Sequence, residues 1–340
     1  MKHDKVLLGH GSGGRMMREL IEGLFLQTLT GGYARLGSED SAVLELPEGF
    51  TGRIAITTDS FVVNPIFFPG GNIGDLAVYG TVNDLAMSGA KPLYLTAGFI
   101  VEEGLPLTEL AEVVRSMKRA ADEAGVSIVA GDTKVVERGK ADRLFINTSG
   151  VGVVRDGLDI SSSAIKPGDK IIVSGTIGDH GMAVMSKREG LEFGSDILSD
   201  SAPLNSLVDA MLAVCPEIHA MRDPTRGGVA STLNEFAHES GVCIMVDERE
   251  LPVTDAVRGA CDILGLDPLY VANEGKLIAA VPPGCVYDVL EAMKDNRYGR
   301  DAVVIGEVMA EPAGKVLMRT LIGGTRIVDM LAGEQLPRIC

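Results

Sequence analysis

Three aspartates lie beside short apolar runs in this 340-residue chain: Asp59 after Ile54 to Thr58, Asp132 after Val126 to Gly131, and Asp40 just before Ala42-Val43-Leu44. Ligands in α/β folds collect at strand ends and loops, so carboxylates placed there among Gly, Ser and Thr suit a metal-phosphate site. One such aspartate is usually a turn former; several together form the informative pattern. Asp84 is a fourth. On a helix beginning at Ile73 it shares a stripe with Ile73 and Ala77, beside Gly80, and a carboxylate on a face of small apolar residues must find a cation, a metal or donors. The other reading is a helix N-cap or a solvated break at Asn83, and Asp75 falls on the opposite side of a continuous helix.

Two glycine-rich segments are candidate anion sites. His10-Gly11-Ser12-Gly13-Gly14 precedes a helix-like Arg15 to Leu29 and can offer consecutive backbone N–H groups to a polyphosphate, although no Gly-Lys-Ser/Thr follows to make it a Walker A loop. Gly227-Gly228 opens a helix at Val229 with Arg222 and Arg226 beside it; the alternative is a plain Asp-Pro turn and helix start. Lys134, after Asp132-Thr133, and Glu274, in Ala272-Asn273-Glu274-Gly275-Lys276, read from spacing alone as salt-bridge residues.

The five cysteines, at 215, 243, 261, 285 and 340, are widely spaced, with no Cys-x-x-Cys pair. That pattern makes neither a zinc site nor a disulfide framework, and the first four read as small core or surface-covering residues. Cys340 differs because it ends the chain after Gln335-Leu336-Pro337-Arg338-Ile339. Proline keeps such a tail extended, so the thiol reads either as an exposed group on a reaching arm or as an incidental frayed end.

Positioning these groups requires strands and helices in alternation. Strands are expected at 54–57, 93–100, 126–130 and 144–154, with helices from Ile73 to Ser88 and after Pro106. Beyond a polar stretch at 155–167 come strands at 170–174, 242–246, 277–281 and 316–319, and helices after Gly181 and from Val229 to Ser240. The prediction is a mixed α/β (α+β) chain of two such domains. Its parts are a glycine-rich loop and helix (1–35), a first domain (36–155), a second domain (156–312) and a strand with a mobile tail (313–340). A length of 340 residues suits two cores better than one.

The formal charge of −16 and the lack of any basic run exclude a nucleic-acid binder. Too few apolar residues precede Gly9 for a signal peptide, and no run approaches a membrane span, so a cytoplasmic location is expected.

Together these residues resemble the hydrogenase expression/formation (HypE) family. It lies within the PurM-like superfamily that includes aminoimidazole ribonucleotide synthetase, selenophosphate synthetase and thiamine-monophosphate kinase. The superfamily part of the likeness is Ser38-Glu39-Asp40-Ser41-Ala42-Val43, Thr58-Asp59-Ser60, Gly74-Asp75 through Ala90-Lys91-Pro92, Gly131-Asp132-Thr133 and Asp223-Pro224-Thr225-Arg226-Gly227-Gly228. The family part is His10 to Gly14 and Pro337-Arg338-Ile339-Cys340. A selenophosphate synthetase would carry Cys or selenocysteine in the glycine-rich segment, and a small-molecule kinase would have no use for the Cys-ended tail.

The resemblance implies a homodimer whose first domains pair into a β-barrel, with ATP at or near that interface. It implies that Asp40, Asp59, Asp84 and Asp132 hold Mg²⁺ and phosphates, and that His10 to Gly14, Thr133, Arg226, Gly227 and Gly228 hold the nucleotide. Cys340 would be carbamoylated by HypF and its S-carboxamide dehydrated with ATP to a thiocyanate. The cyanide would then pass to iron on a HypC–HypD complex, on the way to a nickel-iron hydrogenase. Lys134 and Glu274 would sit by the carboxamide and manage its protons, in an order left open. The competing expectations are an ATP-dependent kinase or synthetase of the same superfamily, and an ATP-gated scaffold for metallocentre assembly.

Overall fold

The computed structural model describes residues 4–7, 20–29, 52–190, 197–330 and 339–340. The expectations for His10 to Gly14, Asp40 and Pro337-Arg338 lie outside the described residues.

The first half forms a four-stranded sheet. Strand β1 (Gly52–Phe61) is followed by a small hairpin, β2 (Phe67–Phe68) and β3 (Gly71–Asn72), and then helix α1 (Ile73–Met87). Strand β4 (Ala90–Glu102), helix α2 (Leu107–Ala124), β5 (Ser127–Val136) and β6 (Leu144–Arg155) complete it, in the order β1-β6-β4-β5. β4 and β5 run parallel, as the crossover through α2 requires, and the other pairs are antiparallel. Among the described residues the sheet is open, with β1 and β5 at its edges, and they close no barrel within one copy.

Both strands that carry candidate aspartates run further than the sequence suggested. β1 continues to Phe61 and β5 to Val136, so Asp59 and Asp132 lie within strands, where residues alternate between faces. The apolar runs ended sooner than the backbone pairing because polar residues serve equally well on an exposed sheet face.

Helix α1 begins at a capping box in which Asn72 and Asp75 satisfy each other's backbone N–H groups. It is buried on nearly every side, with Asp75 and Asp84 the residues that keep some exposure. Neither an N-cap nor a break occurs at Asn83, which is 1 % exposed inside the helix. Gly80 lets β1 approach closely, since a Cβ there would lie 2.8 Å from the Phe61 ring.

The second half is built on a seven-stranded sheet. Its elements in chain order are β7 (Lys170–Val173), α3 (Asp179–Glu189), α4 (Asn205–Val214), β8 (Ala220–Arg222) and α5 (Gly228–Ser240). Then follow β9 (Cys243–Asp247), α6 (Asp255–Leu264), β10 (Ile278–Val281), α7 (Val286–Asp295), β11 (Val303–Met309), β12 (Lys315–Arg319) and β13 (Thr325–Ile327). The order is β13-β12-β9-β11-β7-β10-β8. β12 pairs in parallel with β9, so the strand expected near 316–319 is an inner member of this sheet.

Alternation along β7 and β10 assigns the two faces. Ile172, Ala279 and Val281 pack into a core with α4 and α7, whereas Ile171, Val173, Ile278 and Ala280 pack with α5. The first of these cores also takes in Leu85, Ala86 and Met87 from the end of α1, which joins the two halves. Residues 339–340 close against the core of the first sheet, Ile339 being 4 % exposed. The reaching arm expected of the tail is therefore docked at its end.

Candidate active site

Asp59 stands on the face of β1 that looks toward α1, and Asp84 on the face of α1 that looks back. Thr57 donates from Oγ1 to Asp84 Oδ2 at 2.9 Å, and the Ser60 N–H donates to Asp59 Oδ1 at 2.7 Å. Burial raises both carboxyls above the ordinary range. Asp59 is drawn back by the Ser60 N–H and by Arg226, and Asp84 by Thr57, while Asp59 itself pushes Asp84 up.

The second half adds Asp223, just after β8, and Glu274, just before β10. Burial together with Asp84 pushes Asp223 up to about 7. Glu274 is 2 % exposed and is raised well above its ordinary value by burial, then by Asp223, Asp200, Asp59 and Asp84. Its Oε1 has no hydrogen-bond partner. Buried carboxylates that repel one another and leave an oxygen unsatisfied are a donor set for a cation or a hydrogen-bonding ligand.

Backbone geometry fixes this convergence. Gly228 opens α5 with φ +60°, and a Cβ there would lie 2.6 Å from the carbonyl oxygens of Leu269 and Val271, so glycine lets the loop leading to Glu274 pass under the helix start. Asn83 Nδ2 donates to the carbonyls of Ala202 and Glu274 at 3.0 and 3.2 Å, and the Leu204 N–H donates to Asn83 Oδ1 at 2.8 Å. One amide thus ties α1 to both loops of the second half that border the cluster.

Cys340 docks here. The Val62 N–H donates to the Cys340 main-chain oxygen at 3.1 Å. Burial pushes the thiol up to about 12, with Glu274 adding to the effect, Arg226 opposing it, and Asp59 and Asp223 adding again. A cavity of about 530 Å³ opens beside the cluster, lined by Thr57, Asp84, Ser161, Arg222 and Asp223 among others. That volume is in the range of small-molecule sites.

Asp132 and Lys134 are elsewhere. Asp132 pairs in register with Gly98, Gly98 with Asn147, and Asn147 with Ser60, which puts Asp132 on the face of Ser60, opposite Asp59. Lys134 Nζ pairs with Asp132 Oδ2 at 2.8 Å, both side chains being nearly two-thirds exposed, and this pairing holds the Asp132 carboxyl low. Thr133 faces the other way and is 4 % exposed. Within one chain, then, the expected metal set divides, Asp59 and Asp84 from Asp132, and Lys134 is not brought to Glu274. Period-two alternation explains the split: strand-end reasoning ignored facing because it placed these residues beyond the strands.

In the sequence Asn83 stood out only in the alternative to a continuous helix, as a cap or a break, and Asp223, Asp200 and His180 had no role of their own. Asp223 was visible only as part of a quoted motif. Asp200 and His180 gave no signal, because their partners lie far away in the chain. Cys215, Glu217 and Cys285 also converge, their ligand atoms within 4.8 Å of one another, a grouping that wide spacing concealed.

The model of the AIR synthase related protein N-terminal domain matches residues 38–154, and that of the C-terminal domain matches 166–319. A carbamoyl dehydratase HypE from Azotobacter vinelandii is 56 % identical over 340 residues, covering 100 % of this chain and 98 % of the relative. The chain belongs to the HypE family. A solved HypE in complex with ATP superimposes on it with a TM-score of 0.92 at 48 % identity, covering 98 % of this chain and 99 % of the other. The HypE of a HypE–HypF complex does so with 0.80 at 52 % identity, covering 92 % and 99 %. The family fold, two mixed α/β units of the AIR synthase-related kind, is thus the fold of this chain. No helix among the described residues is long and apolar enough to cross a membrane.

Proposed function

We propose that the chain is a cytoplasmic ATP-dependent carbamoyl dehydratase of hydrogenase maturation, acting on an S-carboxamide carried by its own Cys340. The observation that carries this reading is the docked Cys340, whose sulfur feels Glu274, Arg226, Asp59 and Asp223 at once. In this reading the units 36–155 and 156–312 each supply half of the site, and the segment 313–340 supplies the carrier.

A thiol held near pKa 12 stays protonated at neutral pH and is a poor nucleophile. Carbamoyl transfer to Cys340 by HypF therefore takes place with the tail released, and dehydration with it docked. In the dehydration the carboxamide oxygen receives the γ-phosphoryl group of ATP, the C–O bond breaks with phosphate as leaving group, and two N–H protons leave as C≡N forms. S-carboxamide and ATP give S-cyanide, ADP and phosphate. Glu274, with a raised pKa and an unsatisfied oxygen, is suited to accept a proton from the nitrogen. Arg226 is placed to offset charge on the reacting group. The S-cyanide would then be handed to iron on the HypC–HypD complex.

Asp59, Asp84 and Asp223 are oxygen donors of the kind a hard divalent cation takes; on top of burial, Asp59 raises Asp84 and both raise Asp223. Among the described residues the three do not converge within 4.8 Å of one another, so a cation would have to draw them in. Mg²⁺ held there would neutralise phosphate charge.

The outer face of the first sheet exposes Ile54, Ile56 and Ile100 at 54, 75 and 43 %. Pairing of this face with a second copy would cover that apolar surface, complete a barrel, and carry Asp132 and Lys134 of each copy toward the other's cluster.

Mass spectrometry of the peptide that bears Cys340, after incubation with HypF, carbamoyl donor and ATP, tests the proposal. Loss of one water from the carbamoyl adduct, matched by ADP formation, is expected. An adduct that never loses water while ATP is consumed points to the scaffold reading, and full turnover of a free small substrate by Cys340→Ser points to the kinase or synthetase.

A further inference from the structure

His180 lies in the first turn of α3 and is fully buried. Its Nε2 is 2.6 Å from the main-chain oxygen of Ile339, and its Nδ1 is 2.8 Å from Ser199 Oγ. The Phe68 ring packs edge-on against the imidazole, with centroids 5.3 Å apart. Asp200 is the charged group that acts on it. None of these contacts enters the dehydration chemistry outlined above.

The directions of these bonds are determined. A carbonyl oxygen only accepts, so Nε2 carries the hydrogen and donates to Ile339. Burial lowers the His180 pKa and keeps the ring neutral, so Nδ1 holds a lone pair and accepts from the Ser199 hydroxyl. Ser199 Oγ accepts in turn from the Ser201 N–H at 3.2 Å, and the Ser199 N–H is held by the Pro69 carbonyl at 2.8 Å. The protein thus sets the tautomer from behind, through Ser199, and presents one N–H to the residue before Cys340.

We infer that His180 is the positioning residue that latches the carrier tail in its docked state, by donating Nε2–H to the Ile339 carbonyl while Ser199 fixes its tautomer. The inference rests on the reading of Cys340 as the carrier and extends it. Release of the tail leaves a buried donor without its acceptor, so the latch favours docking by about the net worth of one such bond. Val62 supplies the second clip, on Cys340 itself.

The test uses His180→Phe, which keeps the ring volume and removes both hydrogen bonds, and His180→Gln, whose amide can still donate to Ile339 and accept from Ser199. The full-length proteins are treated with iodoacetamide and alkylation is followed cysteine by cysteine by mass spectrometry, with buried Cys215, Cys243 and Cys261 reporting on the rest of the fold. Cys340 of His180→Phe is expected to react about tenfold faster than wild type, the factor one hydrogen bond of this kind commands, and that of His180→Gln within about twofold. In single turnovers of the preloaded tail, His180→Phe should lose rate in the dehydration step.

Equal protection of Cys340 in wild type and His180→Phe overturns the latch. So does a His180→Gln as reactive as His180→Phe, or faster alkylation of the three buried cysteines together with Cys340, which would mark a general loosening. Absence of dehydration in the wild type itself would count against the carrier reading and leave the alkylation comparison to judge the latch alone.

Discussion

Asp59 and Asp132 belong to one sheet and project from its opposite faces, Asp59 toward α1 and Asp132 away from it. Among the described residues, one face of a single chain therefore gathers only part of the carboxylate set that the family likeness implied. If a second copy supplies the rest, two inactive variants should complement each other. Asp84→Asn and Asp132→Asn, each inactive alone, are expected on mixing and re-pairing to regain about a quarter of wild-type ATP turnover, since half the dimers are mixed and each has one intact site. A site drawn from one chain would regain nothing.

Asp84 is the sharper metal candidate, held by Thr57 and raised by burial and by Asp59. Asp84→Asn should lower Mg²⁺-dependent ATP hydrolysis by about a hundredfold, the scale on which electrostatic groups act in phosphoryl transfer. The melting temperature should not fall, because the change relieves like-charge repulsion. Unchanged hydrolysis would remove Asp84 from the site.

Asp223 gives a pH signature. A carboxyl that titrates near 7 in the folded chain and near its ordinary 3.8 when unfolded binds more protons folded, so stability is lost as pH rises through that interval. Asp223→Asn should melt with the wild type near pH 4 and above it near pH 8, with Mg²⁺ narrowing the gap. Thermal scans across pH check this; a gap that is flat with pH would contradict it.

Asn83 satisfies three backbone groups from inside a buried helix. Asn83→Ala leaves them unpaired and should cost about 2–4 kcal/mol in urea unfolding, given the penalty for buried unsatisfied groups. Glu274 should lose its place along with them, so dehydration falls more than ATP affinity does. A cost near zero would show that the junction is held some other way.

Most of the fold could be read from apolar periodicity. The runs at 144–154, 170–174 and 277–281 and the helices at 73–88 and 229–240 correspond to β6, β7, β10, α1 and α5. What periodicity could not supply was facing and distance. Asp59 and Asp132 looked equivalent because each follows an apolar run, yet pairing through β6 and β4 puts them on opposite sides. Asn83 gave no sign of tying the two halves together, and a break there stayed open as the alternative, because the partners that satisfy its amide are more than a hundred residues away. Cys340 was legible as chemistry but not as a docked group, since only the fold shows what Val62 and His180 hold.

Both clips on the tail grip main-chain oxygens, of Ile339 and of Cys340, and neither touches the sulfur's substituent. These two clips are blind to cargo: bare thiol, carboxamide and cyanide present them with the same handles. Holds that grip all forms alike cannot drive their order by affinity. Any preference among the forms must then come from the charged groups around the sulfur and from the cleavage of ATP, while the clips serve as a common anchor that each form of the tail can enter and leave.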